Sequence, residues 1–329
     1  MKTDNGGQQA LVADGELILQ EPEWFKQAIE NKPENRFVAF RNSELHYSYW
    51  AGPSAESENL VLLHGDGAHA HWFDFIAPLL TPYYNVIALD MPGMGESGWL
   101  DAYSREIMAE AIITMIRDAN FASKPAFVAH SFGGMLSLIT AHHYASELAA
   151  LMICDFHVRS PENHYEWYGE LESWRPTRVY DSRAEAEARF RLMPEQPCAN
   201  HFIVDYIASL SVREIHQGDN HRRAASDAAG YTWKFDPSIY PGFTVGRDLP
   251  EIYKALPLPL AAMFGADSHD FDKVTRVDAI AHMQSLRPDA PHYDISGARH
   301  HIMLDQPRAF AAAINGQMQN WKASGAFNK

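Results

Sequence analysis

The stretch Phe127-Val128-Ala129-His130-Ser131-Phe132-Gly133-Gly134 admits few backbone paths. A short apolar run leads into a serine, and small residues stand two positions to either side of it, at Ala129 and Gly133. A helix-like segment follows from Met135 to about Tyr144. This pattern predicts a strand, a tight turn and a helix, with Ser131 at the tip of the turn. Such a turn holds its central residue in a strained conformation, and bulky neighbours would collide with the adjoining strand and helix. An ordinary strand–turn–helix whose serine only caps the helix accounts for the same residues without any chemistry. The rest of the chain decides between them.

Further apolar runs occur at Leu60–Leu63, Val86–Leu89, Leu148–Cys154 and Leu258–Phe264, and a last strand is expected over His292–Ile295. The apolar runs are continuous rather than alternating, as in strands buried on both faces of a parallel sheet. Helical spacing separates them at Ser104–Ala119 and closes the chain at Ala309 to about Trp321. Ahead of them lie a polar arm to about Glu21, a short helix over Pro22–Glu30, and two early strands, Phe37–Phe40 and Leu45–Trp50. Alternating strands and helices predict an α/β fold with a doubly wound, mostly parallel sheet, whose ligands bind outside the carboxyl ends of the strands. Between Asp155 and Leu258 the texture changes to Trp, Tyr, Arg and Pro, with helical segments near Arg183–Leu192 and Asn200–Arg213. A connection this long is not bare loop. The expected layout is a first core part (1–156), an inserted, mainly helical cap (157–256) and a second core part (257–329). Tyr165, Trp167, Tyr168, Trp174, Trp233 and Phe235 are expected to give the cap an apolar underside.

Four motifs, each directly after an apolar run, resemble those of the α/β-hydrolase family. Ala129-His130-Ser131-Phe132-Gly133 is similar to its G-x-S-x-G nucleophile elbow, with alanine for the first glycine. His64-Gly65-Asp66-Gly67 is similar to its oxyanion loop, and Asp90-Met91-Pro92-Gly93-Met94-Gly95-Glu96-Ser97 to its D-x-P-G-x-G-x-S loop. Gly297-Ala298-Arg299-His300 is similar to its terminal histidine loop. The resemblance covers roughly Leu60–Leu151 and Leu258–Trp321. It implies Ser131 as nucleophile and His300 as its base, since a serine hydroxyl needs a base within hydrogen-bond reach; the adjacent His301 is left to packing. It also implies the backbone N–H groups of Phe132 and Asp66 as oxyanion donors. The Asp66 carboxylate is odd beside a forming oxyanion, which leaves Gly67 as the other candidate donor. The expected acid is Asp155, at the end of one strand, with Asp267 the alternative and Asp270 after it, both in the loop after the next strand. In that loop Ser268 holds the position where the family commonly has aspartate.

The implied chemistry is cleavage of a carboxylic ester through an acyl-enzyme. The alternatives on the same residues are a C–C bond hydrolase and a lactonase or perhydrolase. A non-catalytic binding protein on the same fold is the rival from another class. Aspartate-nucleophile dehalogenases and epoxide hydrolases are disfavoured, because serine stands at position 131. Lys and Arg number 27 against 42 Asp and Glu, a net charge of −15 that disfavours nucleic acid and anionic membrane as partners. The expected partner is a small ester-like molecule, with a homodimer left open. The two cysteines form neither a metal cluster nor a disulfide framework. His64, His69, His71 and the His142-His143 pair lack the spacing of a helical metal motif. No metal or cofactor is therefore expected. The first twenty residues lack a signal peptide's basic and apolar regions, and the expected location is cytoplasmic.

Overall fold

The computed structural model describes residues 20–163, 176–216, 229–241, 243–269 and 274–328. Ten strands are present among the described residues: β1 (Glu34–Phe40), β2 (Ser43–Trp50), β3 (Asn59–Leu63), β4 (Asn85–Leu89), β5 (Ala126–His130), β6 (Ala150–Cys154), β7 (Val212–Ile215), β8 (Gly230–Trp233), β9 (Leu260–Gly265) and β10 (His292–Ile295). The helices are α1 (Glu23–Glu30), α2 (Ala77–Leu80), α3 (Arg105–Asp118), α4 (Phe132–Tyr144), α5 (Arg183–Glu187), α6 (His201–Leu210), α7 (Leu249–Ala255), α8 (Arg276–Leu286), α9 (Ile302–Asp305) and α10 (Pro307–Ala323). Eight strands form one sheet in the order β1-β2-β4-β3-β5-β6-β9-β10. The pairings β1–β2 and β2–β4 are antiparallel, and the remaining six strands run parallel.

The continuous apolar runs follow from this architecture. Successive residues of a strand point to opposite faces, and each face here carries its own core. Val61, Leu63, Ile87, Leu89, Phe127, Ala129, Leu151 and Ile153 enter one cluster with α3, α4 and α7. Leu60, Leu62, Val86, Ala88, Ala126, Val128, Ala150 and Met152 enter the other with α1, α2 and α10. A polar residue at either phase of such a strand would be buried. Both sheet faces are thus covered, as a parallel sheet requires. Helix α3 starts where Ser104 Oγ accepts the Ile107 N–H at 3.2 Å, an N-cap that sets its first turn.

Within 157–256 the described residues depart from a purely helical expectation. The helix foreseen over Asn200–Arg213 stops at Leu210. There Ser211 Oγ bonds back to Ile207 O at 2.8 Å, and Val212–Ile215 turn into β7, paired antiparallel with β8. β-branched residues at both ends of Val212-Arg213-Glu214-Ile215 favour a strand. The helix expected over Arg183–Leu192 ends at Glu187. Helix α7 packs against α4 and α8 and contributes Leu249, Ile252 and Tyr253 to the core beneath the sheet. Tyr165, Trp167, Tyr168, Trp174 and Asp270 lie outside the described residues. Among those described, no helix is long and apolar enough to cross a membrane.

Candidate active site

Strand register brings the polar motifs together. Leu63 pairs with Ala129, Ala129 with Ile153, and Ile153 with Ala262. The residues just past this row, on neighbouring strands, are therefore His64-Gly65-Asp66, His130-Ser131, Cys154-Asp155 and Met263 to Gly265. Ile295 pairs with Gly265, which delivers the loop carrying His300 to the same edge. A side chain at Gly265 would meet the carbonyls of Ala298 and Arg299 at 2.6 and 2.3 Å, so glycine there lets that loop cross the strand end.

The elbow turn is as tight as its sequence implies. Ser131 has φ 53° and ψ −123°, a strained setting for a residue with a side chain. A Cβ on Gly133 would lie 2.3 Å from the His64 carbonyl, which forbids any larger residue. Ala129 is fully buried in the sheet core and tolerated without a glycine. Gly95 makes a comparable close approach, since its missing side chain leaves room for the Asp90 carboxylate. That carboxylate accepts the N–H groups of Ala70 (2.6 Å) and Glu96 (2.9 Å) and His46 Nδ1 (2.7 Å), bracing the loops on both sides of the site.

His300 Nε2 lies 2.9 Å from Ser131 Oγ, and His300 Nδ1 lies 2.7 Å from Asp155 Oδ2. Asp155 is buried, with φ 47°. Its Oδ1 accepts the Gly265 N–H at 3.0 Å, and its Oδ2 also accepts Ser268 Oγ–H at 2.6 Å. Burial opposes charge on Asp155, yet the His300 hydrogen bond and the further donors hold its carboxyl below the usual range. The alternative acid, Asp267, is exposed; its backbone N–H bonds the Ala298 carbonyl at 2.9 Å. It is a turn residue of the β9 loop, and it is Asp155 that pairs with His300. Ser268, at the position where an aspartate was looked for, donates to Asp155 instead.

The oxyanion-loop residues sit beside the serine. A Cβ on Gly65 would lie 3.2 Å from Ser131 Cβ and 2.9 Å from His130 Nδ1. His64 Nδ1–H donates to the Gly65 carbonyl at 2.7 Å, and its Nε2 accepts the Met91 N–H at 3.1 Å, so a neutral imidazole ties this loop to the one after β4. Phe132 opens α4, which sets its N–H at the positive end of the helix dipole. Asp66 follows Gly65, and its side chain turns to Tyr240. His69 is buried, with its Nε2 2.8 Å from Ser211 Oγ.

Two supporting residues, His130 and Gln196, were not foreseen. His130 Nε2–H donates to the His300 carbonyl at 2.7 Å. Gln196 accepts the His301 N–H at 2.9 Å and donates to Asp305, which also accepts the Arg299 N–H at 2.7 Å. Together they pin the histidine loop from three sides. Their only signal in the sequence is the histidine next to Ser131. His130, His300 and His301 each offer one ring nitrogen within 4.8 Å of the others. A cation held by His300 Nε2 would take the lone pair that faces Ser131.

Burial keeps several of these imidazoles neutral. It pushes His130 down to about 3 and His157 to about 4, and holds His69 and His301 well below the ordinary value. An unfolded chain protonates them near pH 6.5. The folded state therefore binds fewer protons below that pH, and stability falls as the pH drops from about 6.5 towards 4. The expected slope is about 1.4 kcal/mol per pH unit for each excluded proton. Thermal melts between pH 7.5 and 4.5 are expected to show a steadily falling Tm; a flat Tm across that window contradicts the neutral assignment.

The chain belongs to the Alpha/beta hydrolase family, whose sequence profile matches residues 60–313. It is thus an enzyme of the hydrolase class. A 2-hydroxy-6-oxo-6-(2'-aminophenyl)hexa-2,4-dienoic acid hydrolase of Metapseudomonas resinovorans is 25% identical over 301 residues, covering 90% of this chain and 94% of the relative. A pimeloyl-[acyl-carrier protein] methyl ester esterase of Methylococcus capsulatus is 26% identical over 253 residues, 73% of this chain and 89% of the relative. The crystal structure of E-2-(acetamidomethylene)succinate hydrolase superposes with a TM-score of 0.67 at 20% identity, over 87% of this chain and 99% of that one. That likeness supports the fold.

Proposed function

We propose that this protein is a serine hydrolase that cleaves carboxylic esters of small molecules through an acyl-enzyme. The observation that carries the reading is the unbroken chain Ser131 Oγ–His300–Asp155, at 2.9 and 2.7 Å. Ser131 attacks the carbonyl and gives its proton to His300 Nε2. The imidazolium is stabilised by Asp155, and His300 then protonates the leaving alkoxide. Water, deprotonated by the same histidine, releases the acid. The backbone N–H groups of Phe132 and Asp66 receive the developing oxyanion. Two contacts from the segment after β6 support the reading: Phe243 packs its ring 5.3 Å from that of Phe132, and the Tyr240 hydroxyl reaches Asp66. A C–C bond hydrolase acting through the same three residues is the second reading, and a relative matching 90% of the chain is named a 2-hydroxy-6-oxo-6-(2'-aminophenyl)hexa-2,4-dienoic acid hydrolase.

The test pairs a chromogenic short-chain ester with a serine-directed phosphonate. Ester turnover and a mass increase on Ser131 are expected. An unlabelled Ser131 with no turnover of esters or vinylogous diketones overturns the reading.

Ser268 acts here as a positioning residue. Its hydroxyl holds the oxygen of Asp155 that faces His300, and a hydrogen bond to a charged group contributes about 1.5–3 kcal/mol. Ser268→Ala is expected to lower kcat by roughly 10-fold with KM little changed. Unaltered kcat shows that the Gly265 N–H and His300 hold the carboxylate unaided.

A further inference from the structure

The insertion is seated on the backbone either side of His300. The His301 N–H donates to Gln196 Oε1 at 2.9 Å, and the Arg299 N–H donates to Asp305 Oδ2 at 2.7 Å. Gln196 Nε2–H donates to the same Asp305 oxygen at 2.9 Å, so the two side chains that hold these peptides are joined to each other. Asn200 Nδ2–H adds bonds to the Leu304 and Asp305 carbonyls at 2.7 and 3.1 Å. Helix α6 starts at the next residue and runs for ten residues, a span of about 15 Å. Its far end meets the other side of the site. Tyr206 O–H donates to Asp74 Oδ2 at 2.7 Å, and His69 Nε2–H donates to Ser211 Oγ at 2.8 Å. His69 and Asp74 flank the turn Ala70–Phe73, on the loop that begins with His64-Gly65-Asp66. Between the two ends, Phe202 packs its ring 4.8 Å from that of Phe25, and Ile203 and Ile207 are fully buried, which fixes α6 on the core.

We propose that residues 194–211 form a brace that sets the His300 loop against the oxyanion loop, with Gln196 and Tyr206 as positioning residues at its two ends. The inference rests on the serine-hydrolase reading above. The oxyanion loop leaves the sheet after β3 and the His300 loop after β10, so the two come from strands four places apart in the sheet. One rigid element bonded to both holds their spacing better than separate local supports. A misplacement of about 1 Å in such a constellation can cost about 100-fold in rate. An insertion that served substrate range alone has no need to bond the peptides flanking the base.

The test measures kcat and KM for p-nitrophenyl butyrate between about pH 5.5 and 9 on the wild type, Gln196→Ala, Tyr206→Phe, the two changes combined, and Gln196→Glu. Gln196→Ala and Tyr206→Phe are each expected to lower kcat by about 10-fold with KM little changed. One brace is released from either end, so the combined variant is expected to lose about as much as a single change, well short of the ~100-fold that independent sites give. Gln196→Glu keeps the acceptor for the His301 N–H and sets a second carboxyl against Asp305, whose own carboxyl burial raises to about 6 beside Arg299 and the neutral Cys198 thiol. Two carboxyls so close share a proton at low pH, and that proton replaces the amide N–H. The kcat of Gln196→Glu, relative to wild type at the same pH, is expected to lie near one at the acid end and to fall towards that of Gln196→Ala as the proton leaves. This ratio reads the brace should Gln196→Ala fail to fold. Unchanged kcat in Gln196→Ala, losses that multiply in the combined variant, or a Gln196→Glu ratio flat with pH overturns the proposal while the active wild type leaves the hydrolase reading standing. Absent phosphonate labelling of Ser131 and absent turnover in the wild type remove both.

Discussion

Ser131→Ala is expected to lower kcat/KM for esters by about 10³-fold or more and to abolish phosphonate labelling, with the melting temperature almost unchanged. The substitution removes one hydroxyl. Alanine meets the same backbone demands as serine at φ 53°, so the turn keeps its shape. The loss is kinetic, because the hydroxyl is the only group at the elbow able to form the acyl-enzyme. A 10³-fold loss corresponds to about 4 kcal/mol of transition-state stabilisation. On the proposed mechanism, the activity that remains reflects water attacking a carbonyl still polarised by the Phe132 and Asp66 N–H groups. Near-wild-type esterase activity in this variant removes Ser131 from the mechanism. Loss of activity with a large fall in Tm points to the turn rather than the hydroxyl, and thermal melts beside the kinetics separate the two.

Legibility in the sequence followed the physics of each element. The parallel strands stood out because both faces of the sheet are buried, which leaves no polar phase in runs such as Leu60–Leu63 or Ala150–Cys154. The polar motifs stood out because they follow those runs directly, at the one edge where a parallel sheet gathers loop chemistry. The hairpin β7–β8 was not legible. Its strands are four residues each and are separated in sequence, and Val212–Ile215 carry the same spacing at the end of a helix as in a short strand. Helix length was similarly hidden, since Ser211 ends α6 through a side-chain bond that no periodicity registers. The supports of the histidine loop, His130 and Gln196, depend on contacts across 170 and 105 residues of chain, beyond any local pattern. The β9 loop was legible in part. It offers two aspartates beside position 268, neither at the usual spacing, so the acid is expected at Asp155 on the neighbouring strand; what the spacing does not reveal is that Ser268 and the Gly265 N–H bond that carboxylate.

That acid gives the second large effect. Asp155→Asn is expected to reduce kcat by about 10³- to 10⁴-fold, and Asp267→Asn to change it less than about twofold, in keeping with an exposed position. Asp155 accepts three hydrogen bonds: Gly265 N–H on one oxygen, His300 Nδ1–H and Ser268 Oγ–H on the other. Asparagine has a single acceptor oxygen. The Gly265 N–H is fixed by the backbone and claims that oxygen, so the amide NH₂ faces His300. The imidazole can meet it only by presenting Nδ1 as acceptor, which moves its proton to Nε2. Nε2–H then points at Ser131 Oγ and cannot take the serine proton. Ser268 can rotate its hydroxyl to accept from the amide and locks this arrangement in. The tautomer, more than the lost charge, thus accounts for the size of the effect. Relocating the carboxylate provides a second arm. Ser268 Oγ lies 2.6 Å from the Asp155 oxygen that His300 uses. Asp155→Asn combined with Ser268→Asp is therefore expected to recover about 10-fold over Asp155→Asn alone. That gain is worth about 1.4 kcal/mol. If Asp267→Asn instead proves the more damaging change, His300 is served from the β9 loop during turnover and the acid has been placed on the wrong strand.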